Sequence, residues 1–116
     1  MNPEVHDALK QVTTLIGDLQ VALKDPAFSQ NEKKQIRQAL KIQMDLQNTL
    51  IFETMQAMVD KINAANGDLQ TLMMKMESTS AKLAKLAVTI KKVADVVGTV
   101  ADATAKAISS GLLGGA

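Results

Sequence analysis

The sequence predicts an all-α protein: a long antiparallel, coiled-coil-like helical hairpin with an additional N-terminal helix, three helices in total. Both prolines, Pro3 and Pro26, lie near the start, and the 90 residues after Pro26 contain none. Apolar residues make up 47% of the chain, but it has only two phenylalanines and no Trp, Tyr or Cys. A core made of aliphatic side chains and methionine, with so few large rings, is typical of helices packed side by side. A heptad repeat in the second half completes the pattern.

The first helix is expected to span residues 3–24. Pro3 follows Asn2, a good helix cap, and proline is tolerated in the first helical turn. The chain leaves the helix at Asp25-Pro26, because a residue before proline disfavours the α conformation. The apolar side chains at helical spacing are Val5, Leu9, Val12, Ile16, Leu19 and Leu23. They predict one buried face.

The second helix is expected to span residues 29–65. Ser29 and Glu32 have the spacing of a capping box, in which each side chain accepts a hydrogen bond from the other residue's backbone N–H. Asn66-Gly67 is a plausible C-cap and turn, since glycine adopts the left-handed conformation at little cost. A single helix that continues through Gly67 is the alternative, because a glycine inside a helix costs only about 1 kcal/mol relative to alanine.

The third helix is expected to span residues 68–110, followed by an apolar, glycine-rich tail over residues 111–116. The chain as a whole, 1–116, is predicted to be a single helical domain. Apolar residues repeat every seven positions here, which defines a seam where a partner helix would pack. The seam residues are Leu69, Leu72, Met76, Leu83, Leu86, Ile90, Val93, Val97 and Val100. One sequence does not tell whether that partner lies in the same chain or in another.

The residue types argue against catalysis and cofactor binding. His6 is the only histidine, and without cysteine there is no ligand cluster with metal spacing. The chain has no glycine-rich phosphate loop after a strand and no nucleophile motif. With a net charge of +1 and no aromatic stacking residues, nucleic acid is not an expected partner. We therefore expect a non-enzymatic protein without metal, cofactor or small-molecule substrate.

Two sets of side chains are candidates for external contacts. The first is apolar and comprises Met74, Ile108, Leu112 and Leu113, where the heptad does not need the residue or the tail outruns its neighbours. These positions are candidates for contact with a partner or a membrane. The second set is basic and comprises Lys33, Lys34, Arg37, Lys41, Lys91 and Lys92. In the hairpin these six residues would lie near one another and face an anionic surface.

The functional hypothesis is a helical assembly protein that packs through its seam into a homo- or hetero-oligomer. The first alternative is a membrane-active protein, pore-forming or translocator-like, that uses the Ala/Val-rich C-terminal helix on an anionic membrane. The second is a chaperone or adaptor for another helical protein. No Sec-type signal or conventional transmembrane segment is visible, which is compatible with the cytoplasm or with export by a signal-independent route.

Overall fold

The computed structural model describes residues 3–111 and contains four α-helices in that range, without a strand. The helices are α1 (Pro3–Lys24), α2 (Gln30–Phe52), α3 (Met55–Thr79) and α4 (Ala81–Ser109). The prediction of an all-α protein is confirmed, whereas the prediction of three helices is wrong. The predicted helix over 29–65 ends early, and the predicted helix over 68–110 is two helices with different partners.

The first helix forms as predicted. It spans Pro3–Lys24 and buries Val12 and Leu19 completely. After it, the Asp25 carboxylate accepts a hydrogen bond from the Ala27 N–H at 2.8 Å, which shapes the turn around Pro26. This local bond, together with the conformational restriction before proline, explains why the helix ends there.

The second helix begins as predicted but ends well before residue 65. Both hydrogen bonds of the Ser29/Glu32 capping box are present. The helix ends at Phe52, and Glu53 and Thr54 adopt extended conformations. Glu53 forms an ion pair with Lys61 of the next helix, across the connection. The break allows α3 to fold back along α2 and bury its apolar face, a tertiary gain that local sequence does not show.

The predicted turn at Asn66-Gly67 is wrong, because α3 passes through both residues without interruption. Leu69 and Leu72, one turn further on, are buried on the inner face of the same helix. A turn at Gly67 would remove that face from the core. The stabilisation lost with that buried apolar face would exceed the roughly 1 kcal/mol that a helical glycine costs.

Gly67→Ala is therefore expected to stabilise the protein by about 0.5–1 kcal/mol, because alanine is the better helix former. A Cβ at position 67 would meet nothing within 4 Å. Chemical denaturation followed by circular dichroism measures the change. Gly98→Ala is the matched control: its Cβ would lie 3.3 Å from Asn66 Nδ2, so a smaller gain or a loss is expected. If Gly67→Ala is less stable than the wild-type protein, the result would contradict a continuous helix at residue 67 and support the turn predicted there.

The connection between α3 and α4 consists of one residue, Ser80. Its backbone is extended, with φ −162° and ψ 160°, so it ends α3 and caps α4 at once. The Ser80 hydroxyl oxygen accepts a hydrogen bond from the Leu83 N–H at 3.2 Å, the usual N-cap contact. The chain therefore reverses direction at a serine, with no glycine or proline at that point.

The four helices form an up-down-up-down bundle with dimensions of 54 × 22 × 17 Å. Helix α1 packs on α2 and α4, and α3 packs on the same two helices, so α2 and α4 lie diagonally. Gln47 bonds to Thr13 across α2 and α1, and Asn66 bonds to the Ala94 carbonyl across α3 and α4. The completely buried large aliphatic side chains include Leu15, Leu19, Ile36, Leu46, Ile62, Leu69, Met76, Leu83 and Ile90.

Candidate functional site

The predicted seam lies inside the chain's own bundle. Its residues divide at Ser80, with Leu69, Leu72 and Met76 on α3 and the rest on α4. The buried members are Leu69, Leu72, Met76, Leu83, Ile90, Val93, Val97 and Val100, and Leu86 is half-buried. In this fold the seam is therefore covered by α1, α2 and the opposite half of the seam. A partner on the bundle surface must use other side chains.

The Ser80 junction, which we define as Ser80 with Glu32 and Lys82, lies where the α1–α2 and α3–α4 connections meet. The Ser80 hydroxyl donates to Glu32 Oε2 at 2.7 Å. The other carboxylate oxygen of Glu32 accepts the Ser29 N–H at 2.8 Å. One carboxylate therefore caps α2 and also holds the reversal between α3 and α4. The spacing of Ser29 and Glu32 predicts the first role, whereas nothing in the local sequence indicates the second.

Further polar contacts surround this junction. Lys82 donates a hydrogen bond to the Ala27 carbonyl, and its ammonium lies 5.7 Å from the centre of the Phe28 ring. That geometry is favourable for a cation–π interaction. Gln35 donates to Thr79 Oγ1 at 2.9 Å, next to the break. The start of α2 and the α1–α2 connection thus hold the reversal at Ser80 in place.

The Glu32 carboxyl group is expected to make this end of the bundle sensitive to acid. Hydrogen bonds from the Ser29 backbone and the Ser80 side chain hold the pKa of Glu32 below its ordinary value of 4.5. Because the folded pKa is the lower one, the stabilisation is present above about pH 4.5 and is lost as the pH falls below it. Glu32→Gln is expected to reduce the acid-induced fall of the unfolding midpoint and to lower the midpoint at neutral pH.

Thermal unfolding measured from about pH 7 to about pH 3 tests this expectation. Glu77→Gln is the matched control, since it changes an exposed carboxylate on the outer face of α3. The control should follow the wild-type profile. A Glu32→Gln profile parallel to wild type would show that the junction does not titrate as described.

The predicted basic surface is divided between different faces. Lys33, Lys34, Arg37 and Lys41 lie on α2, whereas Lys91 and Lys92 lie on α4, the diagonal helix. Lys41 borders a groove with α3 beside Asp68 and Lys75. Lys92 borders a groove with α1 beside Asp7 and Asp18, and Lys91 pairs with Asp95 at 3.1 Å. The six residues therefore do not form one anionic-surface site.

Three of the exposed large apolar side chains, Ile51, Phe52 and Met55, are close together in the chain, and we define them as the apolar corner. These side chains lie where α2 turns into α3, and Phe52 is 77% exposed. Ile51 and Met55 are also exposed. Phenylalanine carries a large apolar area, and burying that area against a partner would be favourable.

The predicted apolar contacts fall in different places. Met74 is 66% exposed on the outer face of α3, as expected from the heptad pattern. Ile108 is half-buried near the end of α4. Because α4 runs antiparallel to α3, that end lies at the same end of the bundle as the apolar corner. Leu112 and Leu113 lie outside the described residues.

The clefts on the described surface are open grooves between neighbouring helices. One of them, about 400 Å³, lies between α2 and α3 and is lined by Asp45, Glu53, Lys61 and Asp68 among others. Within residues 3–111, no group of three or more acidic or histidine side chains converges on a metal-sized site. His6 is exposed in the first turns of α1. No helix in the same range has the length and apolar character needed to cross a membrane.

Two glutamines are buried, although the sequence-based prediction did not include them in the core. Gln35 and Gln43 occupy the inner face of α2, with exposures of 1% and 0%. Gln35 bonds to Thr79, but neither amide atom of Gln43 has a hydrogen-bond partner among the described residues. Their positions continue the helical spacing of Ile36, Ala39 and Leu46, which is the signal that would have found them.

No protein family, curated protein or solved structure matches this chain. The class that the fold and the surface define is a four-helix bundle with an exposed apolar corner.

Proposed function

We propose that this chain is a non-enzymatic helical interaction protein that binds a second copy or another helical protein through the apolar corner. The exposure of Phe52 is the observation that supports this proposal. Burying one phenylalanine removes about 150–250 Å² from water, and the neighbouring Ile51 and Met55 enlarge that area. Aromatic residues and methionine are enriched in the centres of protein interfaces.

The alternative of a membrane-active C-terminal helix has less support on this surface. The apolar side of α4, including Ile90 and Val97, faces the core. Its exposed side carries Lys85, Lys91 and Asp95, with Val88 among them. A chaperone or adaptor role would use the same apolar corner with a different partner. The two protein-binding roles are separated by whether the chain associates with itself.

Phe52→Glu tests the apolar corner. Solution mass measured by size-exclusion chromatography with light scattering, over a hundredfold concentration range, should show association of the wild-type chain that this variant loses. Introducing a charge at the centre of an apolar contact opposes binding because the carboxylate must lose its water. Thermal stability should change little, since surface substitutions usually lie within about 0.5 kcal/mol.

Val21→Glu is the matched control. Val21 is 71% exposed, comparable to Phe52, but it lies near the end of α1, at the opposite end of the bundle. The control should associate like wild type. Equal association of all three proteins would remove the apolar corner from the interface. If the wild-type chain stays monomeric, its binding to helical partner proteins is measured next. Loss of binding in Phe52→Glu but not in Val21→Glu supports the hetero-oligomeric form. Equal binding by wild type and Phe52→Glu overturns it.

A further inference from the structure

The heptad repeat continues in one register across the break at Ser80. Leu69 and Met76 of α3 are followed at intervals of seven by Leu83, Ile90 and Val97 of α4. All five side chains are completely buried. The interval from Met76 to Leu83 contains the reversal, and it is also seven residues long. The segment thus retains the apolar pattern of one continuous helix even though it folds as two.

The same stripe of apolar heptad residues can be buried whether the chain reverses at Ser80 or continues as a straight helix. When a helix folds back on itself towards its apolar side at a single residue, the stripes of its two halves face each other. When that residue becomes helical, the two halves present one unbroken stripe on the same side. The two forms differ mainly in the backbone angles of Ser80, now at φ −162° and ψ 160°. A helix from Met55 to Ser109 would be about 80 Å long, at ~1.5 Å per residue.

We propose that two copies of this chain exchange α4 by straightening at Ser80. In the exchanged dimer, α4 of each copy packs against α1 and α3 of the other copy, in the place that the chain's own α4 occupies here. The contacts of Leu83, Ile90 and Val97 are rebuilt between chains instead of within one. Exchange of an identical element is a low-cost route to a dimer, because the core contacts are retained.

Three features of the junction favour this exchange. The connection is one residue long, and short hinge loops promote swapping. Position 80 holds neither glycine nor proline, so the sequence does not prevent a helix there. The reversed form is held by the Glu32 side chain of α2 and by the backbone carbonyl of Ala27 in the preceding turn. These contacts can open without disturbing the core of α3.

The inference rests on the proposed role in self-association but uses different residues. The apolar corner is on the surface at the α2–α3 connection, whereas Ser80 lies at the opposite end of the bundle. Phe52→Glu tests the corner and leaves Ser80 intact. Failure of one proposal can therefore be told from failure of the other.

A pair of substitutions at Ser80 tests the straightening. Ser80→Ala and Ser80→Gly both remove the hydroxyl and its bonds to Glu32 and Leu83. They differ in the backbone they favour, since alanine promotes a helix and glycine a break. The difference amounts to about fivefold for each hinge, and so to about twenty-five-fold in the dimerisation constant for two hinges. Light scattering over a range of concentrations after refolding should give a dimerisation constant larger for Ser80→Ala than for Ser80→Gly by about this factor.

Introduced cysteines show which helices are paired, because the chain has none of its own. Asn66 and Gly98 face each other between α3 and α4, where a Cβ on residue 98 would lie 3.3 Å from Asn66 Nδ2. Asn66→Cys and Gly98→Cys are made in separate proteins, mixed, unfolded, refolded together and oxidised. Both positions are half-buried in the α3–α4 interface, and exchange of α4 places residue 98 of one protein beside residue 66 of the other.

The exchange is supported by a disulfide-linked heterodimer, formed in greater yield when both proteins also carry Ser80→Ala. It is overturned if the mixture gives no heterodimer, or if the Ser80→Ala and Ser80→Gly proteins dimerise equally. A dimer lost on Phe52→Glu but never linked between residues 66 and 98 also overturns it, while supporting the apolar corner.

Discussion

Ile90→Ala is expected to lower the free energy of unfolding by about 2–5 kcal/mol. Ile90 belongs to the predicted seam and is completely buried in the middle of α4. Shortening it removes apolar contacts and leaves a cavity that the packed neighbours fill only in part. A domain of this size has a total stability of about 5–15 kcal/mol, so the loss would be a large fraction. Urea denaturation monitored by circular dichroism measures it.

The control variant and the concentration dependence show whether the seam packs within one chain or between chains. Val88→Ala shortens a side chain on the same helix that is 54% exposed, and it should change stability by less than about 0.5 kcal/mol. At concentrations where the chain is monomeric, the Ile90→Ala loss should not vary with protein concentration. A loss that disappears on dilution would place Ile90 in an interface between chains and contradict its burial within one bundle.

The periodicity of this sequence predicts which side chains are buried better than it predicts where helices end. Leu83, Ile90 and Val97 are buried as their spacing requires, and the α1 boundaries follow from Pro3 and Pro26. The reason is physical: an apolar stripe must be covered in any fold of the chain, whatever covers it. Helix ends inside a proline-free segment depend on contacts made after the chain has folded.

Two of the three errors in helix ends illustrate that dependence. Ser80 could be helical by its own propensity, and it ends α3 because Glu32, far earlier in the chain, accepts its hydroxyl hydrogen. The local sign was the run Ser78-Thr79-Ser80, whose side chains compete for backbone hydrogen bonds. At Gly67 the opposite holds, since a residue with a strong turn tendency lies in a helix whose buried face outweighs it.

The candidate site was less predictable than the fold. Phe52 is the last residue of α2, and its exposure depends on where that helix ends, which the sequence did not predict. The six basic residues were expected to lie together because the reversal was placed at Gly67. Moving the reversal to two other points puts α2 and α4 on opposite corners of the bundle and separates the charges.

Gln43→Met is expected to raise the free energy of unfolding by about 1–3 kcal/mol. The Gln43 side chain is 0% exposed, and its amide nitrogen and oxygen bond to no described residue. Folding therefore takes both polar atoms from water without replacing their hydrogen bonds. Methionine has nearly the same length and volume, so the core is filled without that desolvation penalty. Chemical denaturation at a fixed, low protein concentration measures the gain.

Gln35→Met is the matched control, because it makes the same change on the same helix at a residue that is equally buried. Gln35 donates to Thr79 Oγ1, so its replacement should cost about 1 kcal/mol where Gln43→Met gains stability. Opposite signs for the two variants would show that hydrogen bonding, and not burial of an amide as such, decides the outcome. A loss of stability on Gln43→Met would contradict the desolvation penalty and would mean that the amide has a hydrogen-bond partner in solution, such as a bound water.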